Sequence, residues 1–258
     1  MNRVLTSGFA ALIAACASAV TLYDNGPFVT RPGAGPSGSD ISEWTVFTTS
    51  AGPVASNIGC NLSSFRVIED FTVPSGQQWK LTEFASFAFR TTTSTVFPPV
   101  SSFSAMHIAI HTADPRLGGG PAHGDFATNR YASSKWTGAF RTSPGDVTTR
   151  QRPIMEVLGD ASWAPVLSSG RYWVEFALQT TSASSAVFAV GVSPVPSGGD
   201  ALQRQISNGQ LFEWAPVTTA FQLRGTVVPE PMAGAGLALG LAALYLRRRK
   251  RKSYSLAD

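Results

Sequence analysis

Histidine and cysteine are almost absent from this chain and charge is thin, with three His, two Cys and 14% charged residues in 258. Each shortage excludes something. Cys16 falls in an N-terminal apolar stretch, so Cys60 stands alone in the body and no intrachain disulfide is expected. Cys60 also lacks recognisable catalytic surroundings, and there is no Gly-x-Ser-x-Gly elbow. His107, His111 and His123 lie in one short region without metal-ligand spacing. On a strand the first two rings stand about 13 Å apart, too far to share one ion. His123, in Gly118-Gly-Gly-Pro-Ala-His-Gly124 with Asp114 and Asp125 nearby, reads as part of a solvated loop before it reads as a cation site. No Lys-Ser/Thr or helix start follows the triple glycine, so it is not a phosphate cradle. These absences lead to the expectation of a chain that is not an enzyme and uses no cofactor and no metal.

Basic surface is missing too, although the formal net charge is +4. Arg3 and six cations near the C-terminus account for seven of the 20 Lys and Arg, leaving 13, and Glu230 and Asp258 for two of the 16 Asp and Glu, leaving 14. Residues 20–228 therefore carry a net charge of −1. Nucleic acid, whose binding depends on neutralised phosphates, is not an expected partner.

The two ends are what is distinctive. Met1-Asn-Arg3 is a short basic start, Val4 to Ala15 is apolar, and Ala17-Ser-Ala19 fits the small-x-small pattern of signal peptidase. Residues 1–19 read as a signal peptide, with Val20 as the new first residue. A competing lipobox, Ile13-Ala-Ala-Cys16, would instead make a lipidated Cys16 the N-terminus, but Thr21-Leu-Tyr23 reads as the start of a strand and leaves no polar tether.

At the other end Pro229-Glu230-Pro231 precedes an uncharged run, Met232 to Leu246, which meets Arg247, Arg248, Arg249, Lys250, Arg251 and Lys252 abruptly. As a helix the run is about 22 Å long against a hydrocarbon core of roughly 30 Å, a short span whose cations stay in the cytoplasm. Gly236 and Gly240 form a Gly-x-x-x-Gly pair, a weak packing signal in so Ala- and Gly-rich a run. Residues 253–258 are a short polar tail.

This order of motif, small-residue helix and cation cluster over 229–252 resembles the PEP-CTERM sorting signal of Gram-negative bacteria. The resemblance implies that an exosortase, an integral-membrane cysteine protease, recognises the tail while it is held transiently in the inner membrane. The enzyme would cut near Pro229, Glu230 and Pro231 and pass the protein to the cell surface or extracellular matrix, in association with exopolysaccharide. Residues 253–258 depart from the pattern, in which such signals stop almost at once. A plain single-span anchor is the alternative.

The body, 20–228, is rich in Thr, Ser, Gly, Pro and Phe, with no helical periodicity, and reads as all-β. Asp70-Phe-Thr-Val-Pro-Ser-Gly-Gln-Gln-Trp79, Ile110-His-Thr-Ala-Asp114, Ser169-Gly-Arg-Tyr-Trp173 and Ala220 to Pro229 resemble bodies that precede PEP-CTERM tails. That resemblance implies a single two-sheet antiparallel β-sandwich, jelly-roll-like. Phe65 to Phe89 reads as a hairpin, with Pro74 at the second position of its turn, and with Trp79, Leu81, Ala85, Phe87 and Phe89 on one face of its second strand. Phe84 breaks the alternation and predicts a bulge or a second covered face. Strands are expected at Glu43–Thr49, Phe103–His111, Lys135–Phe140, Ile154–Leu158, Arg171–Gln179, Ala186–Val192, Gln210–Trp214 and Ala220–Val228, with a turn at Asn208-Gly209. Two functional alternatives stay open. Trp44, Trp79, Trp136, Trp163, Trp173 and Trp214 are candidates for stacking on sugars or for filling the core. Glu69, Asp70 and Glu83, close together in the expected hairpin, are candidates for glycoside chemistry.

Overall fold

A computed structural model describes residues 19–49, 52–91, 95–182, 186–192, 200–213 and 217–228. The expected signal segment up to residue 18, with Ala17, and everything from Pro229 onward lie outside the described residues. Ala19 directly precedes the first strand.

The chain runs through β1 (Val20–Asp24), β2 (Asp40–Glu43), β3 (Val46–Thr49), β4 (Gly52–Ala55), β5 (Asn57–Gly59) and β6 (Phe65–Val73). It continues through β7 (Gln78–Arg90), β8 (Phe103–His111), β9 (His123–Asp125), β10 (Tyr131–Thr142) and β11 (Pro153–Asp160). The last five strands are β12 (Gly170–Thr180), β13 (Val187–Val190), β14 (Leu202–Gln205), β15 (Leu211–Glu213) and β16 (Phe221–Val228). Only two short 3-10 turns, Pro36–Gly38 and Pro115–Leu117, are helical among the described residues. No helix there is long and apolar enough to cross a membrane.

The all-β expectation holds, in two principal sheets. An eight-stranded sheet is ordered β1-β16-β7-β11-β10-β2, with β13 beside β7 and β5 beside β13. A six-stranded sheet is ordered β15-β14-β6-β12-β8-β9. Two details depart from the expected antiparallel pair of sheets. β2 runs parallel to β10, and β3 and β4 form a separate two-stranded ribbon. The single strand expected at Glu43–Thr49 is thus divided at Trp44-Thr45, where Trp44 N–H bonds Thr142 and Thr45 N–H bonds Ser56.

The sheets pack face to face. Phe84 of β7 meets Phe176 of β12 at 5.0 Å between ring centroids, within a core that also takes Val67, Phe71, Leu81, Met106, Ile108 and Val174. In β8 and β12 alternate side chains, Met106, Ile108 and Ile110 and likewise Val174, Phe176 and Leu178, point inward.

The expected hairpin is not one. β6 pairs with β12 and β14, whereas β7 pairs with β11, β13 and β16. The Pro74–Gln77 turn therefore carries the chain from one sheet to the other. Its hydrogen bond runs from Gln77 N–H to the Pro74 carbonyl, 3.1 Å, so Pro74 is first in the turn and not second. Gly76, third, has φ +77°, the left-handed value that a type II turn places there. Trp79 instead exchanges two 2.8 Å backbone bonds with Leu167.

Phe84 marks both a bulge and a second covered face. Pairing of β16 with β7 slips between Arg224 and Gly225, which oppose Glu83 and Leu81. Trp79, Leu81, Phe84 and Ala88 consequently face the inter-sheet core, while Phe87 and Phe89 face a second apolar cluster covered by Phe28, Val29 and Phe188. Gly225 permits the slip, because a Cβ there would run into the Lys80 carbonyl and Leu81 Cα.

Arg141 joins the strands around β2. Its side chain is fully buried, yet its neighbours are neutral. Nε donates to Asn57 (2.8 Å), Nη1 to Ser42 Oγ (2.7 Å) and the Glu43 carbonyl (3.3 Å), and Nη2 to the Ser56 carbonyl and Oγ (both 2.8 Å). All five donors are used. Burial pushes its pKa down to about 9, so the group stays charged at neutral pH. Removing the cation while leaving those oxygens buried should cost about 3 kcal/mol or more. Urea unfolding of purified Arg141→Met is expected to show this, and a loss below about 1 kcal/mol would mean that the hydrogen bonds do not hold the segment.

Candidate functional site

The three carboxylates proposed for glycoside chemistry do not meet. Glu69 points into the core, accepting hydrogen bonds from Thr218 Oγ1 (2.9 Å) and Thr219 N–H (2.5 Å). Asp70 lies on the other face of β6 and pairs with Arg171 at 2.8 Å. Glu83 belongs to the opposite sheet and pairs with Arg224 at 3.6 Å. The spacing argument fails because it assumed pairing between β6 and β7. Glu69 instead anchors the end of β1, through Asn25 Nδ2 donating to Thr218 Oγ1 (2.8 Å) and Tyr23 Oη donating to Asn25 Oδ1 (3.0 Å). Burial pushes the Glu69 pKa up to about 8, against the opposing pull of its Thr219 and Thr218 hydrogen bonds. Burial, followed by the charges of Asp70 and Glu69, pushes Tyr23 up to about 12.

A different cluster lies on the outer face of the six-stranded sheet. The register places Arg204 opposite Arg66 and Leu211 opposite Arg204; His107, opposite Ala177, continues the row on β8. The next row holds Leu202, Ile68, Glu175 and Ala109, and the row beyond it Asp70, Trp173 and His111. Ile68, Trp173 and Leu202 form a small apolar floor. Glu175 accepts from Arg204 Nε at 3.0 Å and from His111 Nε2 at 2.8 Å, and lies 3.6 Å from Arg66 Nη1. Burial raises the Glu175 pKa, but the His111 hydrogen bond and the Arg204 charge outweigh it and hold the carboxyl below its usual range. Arg66 stacks on Phe126 at 3.6 Å. Beyond His111, Asp114 binds Arg116 through both carboxylate oxygens, and Arg116 reaches Glu213 on the far edge strand at 3.2 Å. The segment after β8 thus straps one end of this face.

This face is under-satisfied. Among the described residues, the buried Arg66 Nε and His107 Nδ1 have no hydrogen-bond partner, nor does Arg130 Nε at its rim. Arg130 lies over Trp163 at 4.1 Å and pairs with Asp125 at 3.4 Å. The pKa of His107 is lowered, first by burial and then by Arg66 and Arg130, against the upward pull of Asp125 and the Thr128 carbonyl.

The remaining candidates fall elsewhere. His123 is on edge strand β9 opposite Ile110 and not in a loop. Asp114 is engaged by Arg116 and Asp125 by Ala127, Thr128 and Arg130, so neither assembles with His123. Among the described residues no group of three His, Cys, Asp or Glu is arranged to hold a metal ion. Cys60 is free and buried, and burial pushes its thiol up. Trp79 and Trp173 are buried. Trp44, Trp136 and Trp163 are half-buried, against Arg152, Phe97 with Phe140, and Arg130 respectively. Trp214, Pro229–Pro231 and Arg247–Lys252 lie outside the described residues. Compared with known proteins, the chain matches no family model, no curated protein and no solved structure.

Sequence reading missed Arg66 and Arg204. Isolated arginines on alternating strands give no motif, and β14 has no strong strand signal of its own.

Glu69 generates a pH prediction. Its folded-state pKa is raised, so its contribution to stability is fully present below the ordinary carboxyl pKa of 4.5 and is lost as pH rises through about 8. Purified protein should lose a few kcal/mol between those limits from this group, and Glu69→Gln should flatten that part of the profile. Identical pH profiles of melting temperature for the two proteins would remove Glu69 as the cause.

Proposed function

We propose that the chain is an exported cell-surface or matrix protein, delivered by an exosortase and associated with exopolysaccharide, whose body is a single non-catalytic, jelly-roll-like β-sandwich. The observation that carries this reading is the order of the tail: Pro229-Glu230-Pro231, then an uncharged run to Leu246, then six cations. The fold supports it at the junctions. β1 begins at Val20, β16 ends at Val228, and the two pair antiparallel with Val20 opposite Gly225. Cutting before Val20 or after Val228 would leave that pairing intact. Signal peptidase acts after Ala19 and exosortase near Pro229, Glu230 and Pro231, with the inner membrane as a transient station.

A protease site requires an extended segment and an anchor does not, and proline disfavours regular helix both at its own position and at the residue before it. In fractionated cells the wild-type protein should appear outside the inner membrane, about 3 kDa lighter through loss of some thirty residues from a chain of 27.3 kDa. The variant with Pro229, Glu230 and Pro231 replaced by alanine should stay uncut and membrane-bound, and deletion of the exosortase should have the same effect. Full-length protein in the inner membrane for wild type and variant alike identifies a simple anchor. N-terminal sequencing should start at Val20, whereas a diacylglyceryl Cys16 would establish the lipobox.

A further inference from the structure

We infer that the Arg66–Arg204 row on the outer face of the six-stranded sheet is a binding site for carboxylate groups of an acidic polysaccharide. This deepens the proposed function and rests on it for the polymer that presents the anion.

Like charges directly opposed on neighbouring strands repel, and Arg204 is opposite Arg66 in the β14–β6 register. Their shared counter-charge is Glu175, which His111 also holds. Nearby acids are committed elsewhere: Asp70 to Arg171, Asp125 to Arg130, and Glu213 to Arg116. The row therefore has two cations for one carboxylate, in a body whose net charge is −1.

Donor capacity is left over as well. A guanidinium has five N–H groups. Glu175 takes Arg204 through Nε and lies beyond ordinary hydrogen-bond distance from Arg66 Nη1, so among the described residues neither guanidinium spends its Nη groups on a hydrogen bond. Access is graded in the required sense, with Glu175 and His111 side chains at 2% and 3% exposure and Arg66 and Arg204 at 24% and 20%. Phe126 holds the Arg66 plane in place at 3.6 Å, so little side-chain freedom is lost on binding. Paired guanidinium edges match a planar two-oxygen acceptor, which favours carboxylate over neutral sugar hydroxyls.

The test uses the purified full chain in mild detergent, titrated with polygalacturonate, dextran sulfate and neutral dextran. Polygalacturonate should bind, more weakly as salt is raised, and neutral dextran should not. Arg204→Gln should weaken binding at least tenfold and Arg204→Lys, which keeps the charge but loses the fork, by less, with melting temperature unchanged within a few degrees. Lys135→Gln, which removes an exposed cation of the eight-stranded sheet, should leave affinity unchanged. Equal binding of neutral dextran, unchanged affinity in Arg204→Gln, or equal weakening in Lys135→Gln would overturn the site, and preference for dextran sulfate would overturn the carboxylate assignment. Sorting is read separately in fractionated cells, so loss of sorting with intact binding, or the reverse, tells the two readings apart.

Discussion

β6 and β7 face each other across the core instead of lying side by side, and most of the architecture follows from that. Their inward residues, Val67, Phe71 and Val73 on one strand and Trp79, Leu81 and Phe84 on the other, form the two walls of one apolar layer. Phe71 and Trp79 stack across the turn with ring centroids 6.4 Å apart and planes within 6°. Burying each such side chain stabilises by about 1.5–3 kcal/mol, which a flat two-stranded hairpin with an exposed face would not gain. Once the two strands are apart, each needs new partners. β12 and β14 complete one sheet around β6, and β11, β13 and β16 the other around β7.

Polar groups inside such a fold must be satisfied, and the chain does this in two contrasting ways. Arg141 is a buried charge whose five donors all meet neutral oxygens from β2, β5 and the Ser56 segment, so hydrogen bonds alone offset its desolvation. Glu69 is a buried acid with two donors and no cation, and its proton affinity rises accordingly. Both tie non-sheet segments to the sheets, Arg141 around β2 and Glu69 at the Asn25–Thr218 corner.

The outer faces of the two sheets are finished differently. On the eight-stranded sheet, Phe87, Phe89 and Ile154 are covered by Phe28, Val29 and Phe188, an apolar closure that leaves little for a ligand to recognise. On the six-stranded sheet, β6, β8, β12 and β14 bring Arg66, His107, His111, Glu175 and Arg204 together. One carboxylate there serves two arginines and a histidine, and among the described residues Arg66 Nε and His107 Nδ1 beside it have no hydrogen-bond partner. That imbalance distinguishes this face chemically.

The sequence alone determined the all-β class and most strand positions, because side-chain period and turn chemistry are local properties. It also contains the whole argument for export and sorting, which rests on contiguous residues at the two ends. Tertiary structure decided which strands pair. Pro74–Gln77 is compatible with a hairpin or with a crossing between sheets, and only burial of both inward faces selects the crossing, which in turn separates Glu83 from Glu69 and Asp70. Tertiary structure likewise decided that Arg66 and Arg204, 138 positions apart in the chain, lie side by side, since the register between β6 and β14 depends on long-range packing and leaves no periodic trace in either segment.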